Sequence, residues 1–348
     1  MNIDIVLPHA SFGGLVNVVN LTALHLMKRG HRIRVIQIVW LNINWADDVI
    51  DFTYLAEESD DIKMYEARAL LSDHYRQTYV PDVLLATEWP AMSSLCRSVL
   101  GDMGSDALLV SWIHNSIDIY ERNGAGGLLD MLCADYCLSI NKKQERIINE
   151  ARKGTAYYVR NPVDTTHLPF HPNHDRYEAA FVGRLSKNLK IVLDAFVRLR
   201  DTPWTLKVVG TDTNEIEYMT YCDKLGLADR VEFLGWQERP WEKLQNTTVY
   251  ISASDFDGFM LTAVEALMCG IPVISTPTDG VLDYINTGEN GFFYPFGDPT
   301  ALSDLLRYIS NGVLALPAPE VCRNSVTEFE SEKALSEFCD ILESLVKR

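Results

Sequence analysis

The sequence contains no apolar run of the roughly 18 residues that a membrane-spanning helix needs. Its first residues, Ile3–Leu7, read as a buried strand rather than as the basic and apolar segments of a secretory signal. We therefore expect neither a transmembrane helix nor a signal peptide. The expected location is cytoplasmic, possibly at the inner face of the membrane, with at most peripheral membrane contact.

Positive charge is scarce. The chain carries 31 Lys and Arg residues against 48 Asp and Glu residues, which gives a formal net charge of -17. Nucleic-acid-binding proteins usually carry a basic patch or an overall basic charge, so we expect no nucleic-acid partner. The acidity also disfavours broad electrostatic attachment to anionic lipid, although a local basic cleft remains compatible with it.

Paired cysteines and low-complexity segments are also lacking. The seven cysteines are odd in number and scattered, which predicts reduced, buried thiols in a reducing compartment.

Hydrophobic residues make up 47% of the chain and charged residues 23%, as in globular proteins with a buried core. A length of 348 residues favours two domains.

Short apolar runs alternate with helical stretches along the whole chain. Continuous apolar strands of this kind are typical of parallel sheets covered by helices on both faces. The predicted fold class is α/β, with two doubly wound Rossmann-like domains facing a cleft. The predicted strands are Ile3–Leu7, Ile33–Trp40, Asp82–Thr87, Ala107–Ile113, Tyr136–Ile140, Ala156–Val159, Ala179–Val182, Thr205–Val209, Val231–Leu234, Val249–Ser252, Pro272–Ser275 and Gly291–Tyr294.

The turn Asn161-Pro162-Val163 predicts a boundary between the two domains. We expect an N-terminal domain over residues 1–163 and a C-terminal domain over 164–328. Residues 329–348 form a predicted helix that packs back toward the N-terminal domain. The polar, proline-containing stretch Asp164–Asp175 is interpreted as the linker.

The segment Ser252–Val273 carries the most specific pattern. A predicted strand ends at Ser252, a glycine-containing loop follows, and a helix begins near Leu261. Backbone N–H groups at such a helix start favour an anionic phosphate. Asp257 lies in the loop, and Glu265 follows it by eight residues inside the helix. On spacing alone, Asp257 could equally cap the helix and Glu265 could be a solvated residue.

Two cations follow the first predicted strand of the second domain. Arg184 and Lys187 occur where the carboxyl end of that strand predicts a diphosphate-binding position, with Lys190 as the alternative lysine. They could also be solvated loop residues.

Two features of the first domain fall at strand ends. Gly13-Gly14 precedes a helix but lacks the full dinucleotide-binding glycine pattern, so it could be a plain turn. His114 ends the strand that includes Ile113, followed by Asn115 and Ser116. Its position indicates a role in the cleft, although a lone histidine is often structural.

These residues resemble glycosyltransferase family 4, in which two acids eight residues apart precede a helix of small residues and the sequence Gly-x-Pro-Val. The resemblance implies a retaining transfer from a nucleotide sugar. It implies that Glu265 binds the ribose and that Asp257, where the family usually has Glu, contacts the donor sugar. His114, Asp257, Arg184 and Lys187 form the implied catalytic set, and Asn115 and Ser116 the acceptor contacts. The implied donor-binding residues are Gly13, Gly14, Gly210, Gly235, Trp236, Gln237, Gly258, Phe259, Met260, Leu261 and Glu265.

Within that family, Asp257–Thr262, Ala134–Ser139 and the His114 segment with Asp118 resemble bacterial lipopolysaccharide galactosyl- and glucosyltransferases. The resemblance implies a UDP-hexose donor, a glycan or lipid-linked glycan acceptor, and no metal or other cofactor. Asp255-Phe256-Asp257 could instead be a metal-binding Asp-x-Asp motif, but the doubly wound second domain argues against it. A nucleotide-sugar 2-epimerase and a non-catalytic sugar-nucleotide-binding protein are the alternatives.

Overall fold

The computed structural model describes residues 1–10, 13–41, 43–57, 62–171 and 176–347. They form two compact units, one of Met1–Pro162 with Ser331–Arg348 and the other of Val163–Glu330. The described part of the predicted linker belongs to the second unit, since buried His171 donates its backbone N–H to the Cys269 carbonyl at 2.8 Å. The rest of that predicted linker, residues 172–175, lies outside the described residues.

The first unit is built on a parallel sheet of seven strands in the order β3-β2-β1-β4-β5-β6-β7. Its central strands are almost completely buried and mostly apolar, as expected for a sheet covered on both faces. The strands are β1 (Asn2–Leu7), β2 (Arg32–Val39), β3 (Asp51–Ala56), β4 (Val83–Glu88), β5 (Leu108–Ile113), β6 (Tyr136–Ser139) and β7 (Ala156–Tyr158).

Seven described helices belong to this unit. They are α1 (Gly14–Lys28), α2 (Met64–Gln77), α3 (Pro90–Met103), α4 (Ile117–Arg122), α5 (Leu128–Met131), α6 (Lys142–Ala151) and the C-terminal helix, which closes the chain at Ser331–Val346. Arg29, at the end of α1, donates to Asp340 and Glu343 of the C-terminal helix. The Phe338 ring of that helix lies 5.0 Å from the ring of Trp112 on β5, so the last segment of the chain packs on the first unit.

The second unit has a six-stranded parallel sheet in the order β10-β9-β8-β11-β12-β13. Its strands are β8 (Glu178–Val182), β9 (Thr205–Val209), β10 (Val231–Phe233), β11 (Val249–Ser252), β12 (Val273–Ser275) and β13 (Gly291–Phe293). Its helices are α7 (Leu189–Val197), α8 (Glu215–Lys224), α9 (Pro240–Lys243), α10 (Leu261–Met268), α11 (Pro299–Ser310) and α12 (Pro319–Asn324), so the C-terminal helix is α13.

The predicted class of two α/β domains on parallel sheets is confirmed. The structure adds β3 and α2, which the sequence analysis did not identify. All seven cysteines are free thiols, and all except the half-buried Cys133 are buried. Within the described ranges, no helix combines the length and apolar character needed to cross a membrane.

Candidate active site

The strand order of the second sheet reverses between β8 and β11, which are neighbours in the sheet. Ligands of open α/β sheets bind at such a point, beyond the carboxyl ends of the strands. Lys187 follows β8 and Asp257 follows β11. The Lys187 Nζ lies 2.8 Å from Oδ1 and 3.0 Å from Oδ2 of Asp257, so the two predicted residues form an ion pair at the point of reversal.

The loop that carries Asp257 is held by the segment after β12. Gly280 donates its N–H to the Asp257 carbonyl at 3.2 Å. A Cβ atom at Gly280 would lie 2.3 Å from the Phe259 Cα, so only glycine allows this approach. The Tyr284 hydroxyl donates to the carbonyl oxygens of Phe259 and Met260 at 2.8 and 3.1 Å. The loop geometry is therefore fixed by backbone contacts on its far side.

Met260 is the residue from which α10 starts, and its backbone is left-handed at φ 67°. This conformation costs a side-chain-bearing residue roughly 1–2 kcal/mol. The N-cap residue is Met260 rather than Asp257, and its side chain makes no capping hydrogen bond, so the alternative interpretation of Asp257 as the cap is wrong. Gly258, Phe259 and Met260 are buried and Leu261 is half-buried. Together they bring the helix start to the side of the Lys187–Asp257 pair.

Glu265 lies just over one turn into α10 and is half-buried. Its Oε2 accepts a hydrogen bond of 2.8 Å from the indole nitrogen of buried Trp241 on α9. Burial raises the pKa of Glu265, and the hydrogen bond from Trp241 opposes that shift. Glu265 is therefore an oriented carboxyl group rather than the solvated residue that its spacing also allowed.

The loops after β8 and β9 are in close backbone contact. A Cβ atom at Gly210 would lie 2.0 Å from the Gly183 carbonyl oxygen, and both glycines have positive φ angles. The Ser186 N–H donates to Asp212 at 3.0 Å. The Ser186 side chain is the main cause of the lowered pKa of Asp212, and this backbone contact lowers it further. The glycine at 210 thus allows the loop after β8 to pack against the loop after β9.

Arg184 lies in that loop and is exposed. Its guanidinium makes no hydrogen bond or ion pair within the parts of the chain that the structure describes. Lys190, the alternative lysine, instead pairs with Glu217 of α8 at 2.6 Å. Lys187 rather than Lys190 therefore accompanies Asp257.

The predicted donor-binding residues Gly235, Trp236 and Gln237 follow β10. The Gly235 carbonyl accepts from the Gly210 N–H at 2.8 Å, which ties the segment to the loop after β9. The Gln237 side chain donates to the Leu234 carbonyl at 2.8 Å, and the Trp236 side chain is exposed. These residues lie at the same edge of the sheet as Arg184.

The first unit holds the other predicted residues. Gly13 and Gly14 are exposed at the start of α1, directly after the undescribed residues 11–12. His114 follows β5, with its ring 4.5 Å from that of Trp112. Its Nε2 is buried without a partner among the described residues, and burial lowers its pKa to about 3. His114 is therefore neutral at physiological pH.

Asn115 and Ser116 connect His114 to α4. The Asn115 carbonyl accepts from the Gln144 amide, and its side chain accepts from the Ser116 N–H at 2.8 Å. Ser116 is buried at the start of α4. Both residues are thus held against the carboxyl edge of the sheet, while Asp118 is exposed.

Two further residues at these edges were missed in the sequence. Trp241, which orients Glu265, lies on a helix of only four residues that has no periodicity to detect. Glu88 is the last residue of β4, with a positive φ and a buried carboxyl oxygen. The signal for Glu88 was present, because a charged residue ends an apolar run just before Trp89-Pro90.

Residues 164–320 match the glycosyl transferases group 1 family. The lipopolysaccharide 1,6-galactosyltransferase of Escherichia coli (strain K12) is 29% identical over 286 residues, which are 78% of this chain and 77% of that protein. The second unit is therefore similar to group 1 glycosyltransferases, and a lipopolysaccharide galactosyltransferase is among the relatives that the chain resembles over most of its length.

Solved structures share the fold over the whole chain. The lipopolysaccharide outer core galactosyltransferase WaaB in its apo form has a TM-score of 0.79 at 22% identity and covers 99% of both chains. HepE from Anabaena, in complex with UDP-glucose, has a TM-score of 0.77 at 16% identity and covers 99% of this chain and 100% of that chain. At these identities the likeness concerns the fold alone.

Proposed function

We propose that the protein is a retaining, metal-independent hexosyltransferase that uses a UDP-hexose, galactose or glucose, and a glycan acceptor in lipopolysaccharide or other surface polysaccharide synthesis. The observation that carries the proposal is the Lys187–Asp257 ion pair beside the start of α10, at the reversal of the second sheet. This site lies inside the segment that matches the group 1 family.

In this proposal the second unit holds the donor. The Arg184 guanidinium and the Lys187 ammonium bind the diphosphate and stabilise the negative charge that develops on it as the glycosidic bond breaks. They supply the positive charge that a divalent cation supplies in other glycosyltransferases. The free N–H groups at the start of α10 add to the same field.

The two acids have separate proposed tasks. Glu265, oriented by Trp241, accepts hydrogen bonds from the ribose hydroxyls. Asp257 contacts the donor sugar ring while Lys187 holds its carboxyl group in place. Its side chain is one methylene shorter than the usual Glu, and the ion pair gives the shorter carboxylate a defined position.

The test begins with purified protein, EDTA, UDP-galactose or UDP-glucose, and a deacylated lipopolysaccharide core oligosaccharide that lacks galactose. Mass analysis of the products separates the candidates. Transfer adds one hexose to the oligosaccharide, epimerisation converts the donor without any acceptor, and a binding protein leaves both unchanged. A product formed only after Mg²⁺ or Mn²⁺ is added would contradict metal independence.

Arg184→Ala tests the diphosphate contact. Because the side chain is exposed and unpartnered among the described residues, we expect an unchanged melting temperature and a loss of about 10²-fold or more in kcat. Arg198→Ala is the matched control, since Arg198 is exposed at the opposite end of α7. Equal activity of the two variants would remove Arg184 from the mechanism.

A further inference from the structure

Glu88 occupies the point of the first sheet that corresponds topologically to the donor site of the second. The strand order reverses between β1 and β4, and Glu88 is the last residue of β4. Its register partner on β5 is Ile113, the residue just before His114. The reversal of an open α/β sheet is where a ligand binds.

The backbone at Glu88 is strained. Its φ angle is 73°, a left-handed conformation that is uncommon outside glycine, Asn and Asp. The surroundings enforce it, because the Trp89 N–H closes a tight turn onto the Thr87 carbonyl at 3.1 Å and Pro90 begins α3. The Trp89 ring packs edge-on against His9 at 5.0 Å. Strain of this kind clusters at ligand-binding positions.

The Glu88 side chain is half-buried at this position. Its Oε2 is buried and has no hydrogen-bond partner among the described residues. Burial alone raises the pKa of Glu88 to about 8. On the adjacent strand end, the His114 Nε2 is likewise buried without a described partner. Buried polar atoms in folded proteins are normally paired, so two unpaired atoms on neighbouring strands indicate a missing partner.

We propose that Glu88 is an acceptor-binding residue whose carboxyl group forms a hydrogen bond with a hydroxyl group of the acceptor sugar, beside His114. The inference rests on the proposed function, since it assumes a carbohydrate acceptor. A hydroxyl group suits this position because it can donate to a carboxyl oxygen and accept from a protonated carboxyl group. A phosphate would face a carboxyl group with no described cation beside it.

The test uses Glu88→Ala and Glu88→Gln in the full chain, with Glu121→Gln as the matched control. Glu121 is an exposed carboxylate of α4 in the same unit. The deacylated core oligosaccharide that lacks galactose is the probe, and its dissociation constant is measured by titration calorimetry together with that of UDP. A lost hydrogen bond to a buried carboxyl group predicts about tenfold weaker oligosaccharide binding in Glu88→Ala.

We expect a smaller loss in Glu88→Gln, because the amide keeps an acceptor oxygen, and no loss in Glu121→Gln. UDP affinity should be unchanged in all three variants, and a melting temperature of Glu88→Gln at or above that of the wild type shows that this variant is folded. Unchanged oligosaccharide affinity in both Glu88 variants would overturn the inference, as would a wild-type protein that does not bind the oligosaccharide. If Glu88-dependent binding occurs without hexose transfer, the proposed function fails and this inference stands.

Discussion

The polar groups at the strand reversals of the two units differ in whether they have hydrogen-bond or ion-pair partners. In the second unit, Lys187 and Asp257 form an ion pair at 2.8 Å, and Glu265 accepts a hydrogen bond from the indole nitrogen of Trp241. In the first unit, Glu88 and His114 have buried atoms without partners in the described part of the chain. One site carries paired charges, whereas the other carries groups whose neutral forms are favoured.

Burial explains the contrast. It raises the pKa of Glu88 to about 8 and lowers that of His114 to about 3, so the protonated acid and the neutral imidazole are the main forms at pH 7. A charged site suits a charged ligand such as a diphosphate, because ionic hydrogen bonds are the strongest ones. A neutral polar site suits hydroxyl groups. Both units have the same type of fold, but the polar groups at their strand reversals are desolvated to different degrees. In the proposed function, this difference separates a donor-binding site with charged groups from an acceptor-binding site with neutral groups.

Lys187→Ala tests the charged side of the comparison and should have the largest effect. Removing the ammonium takes away a proposed diphosphate contact and leaves Asp257 free to reorient. We expect kcat to fall by about 10²–10³-fold. The pair is partly exposed, so stability should change by less than ~1 kcal/mol. Initial rates of transfer and thermal unfolding measure the two effects.

Lys207→Ala is its control, since Lys207 pairs with Glu178 at 3.2 Å with similar exposure, away from the carboxyl edge of the sheet. If the two lysine variants lose activity equally, the ion pair at the reversal is only structural.

Glu88→Gln tests the neutral side through stability. A folded-state pKa of about 8 lies above the ordinary value of 4.5, so the folded protein holds a proton that the unfolded chain releases. Stability of the wild type should therefore be greatest below pH 4.5, fall by at most ~1.4 kcal/mol per pH unit as the pH rises, and level off above pH 8. The Gln variant lacks this fall, so its stability relative to the wild type should rise between pH 4.5 and 8 by up to ~1.4 kcal/mol per pH unit and stay constant above pH 8.

Denaturant unfolding of both proteins between pH 4.5 and 9 measures the difference. Burial lowers the pKa of the neighbouring His114 and raises that of Tyr120, so neither group changes its charge in the folded protein over this window. Their titration in the unfolded chain is common to both proteins, so it cancels from the difference. Burial also lowers the pKa of His9, whose ring lies against Trp89, but His9 is present in both proteins and its contribution cancels. A pH-independent difference would mean that the Glu88 carboxyl group is solvated.

Much of the fold could be predicted because its central strands are continuous apolar runs. The strand Asp51–Ala56 was missed for a physical reason. It is the edge strand of its sheet, and its burial pattern shows neither a full apolar run nor a clean alternation. Helix Met64–Gln77 follows residues 58–61, outside the described ranges, and its mean hydropathy is low. Edge elements bury too little surface to leave a strong pattern.

The candidate site was predictable where chemistry coincides with a strand end, as for Asp257 and Lys187. It was not predictable where a partner comes from a distant segment. Nothing in the sequence brings Trp241 to Glu265 or Gly183 to Gly210, because these contacts depend on packing between neighbouring loops. The position of Glu88 at the end of a strand could be predicted from the sequence. Its proposed binding role could not, because that role depends on the burial of its carboxyl oxygen.

Lys190→Ala should have the smallest effect of these substitutions. It tests whether Lys187 alone, or Lys190 as well, contacts the donor. Lys190 pairs with Glu217 at 2.6 Å and lies 5.5–5.6 Å from the ring centres of Tyr218 and Tyr221. These exposed contacts are worth less than ~1 kcal/mol. We expect unchanged kcat and UDP affinity, with a slightly lower melting temperature. If Lys190→Ala instead loses as much activity as Lys187→Ala, both lysines contact the donor and the loop after β8 rearranges when it binds.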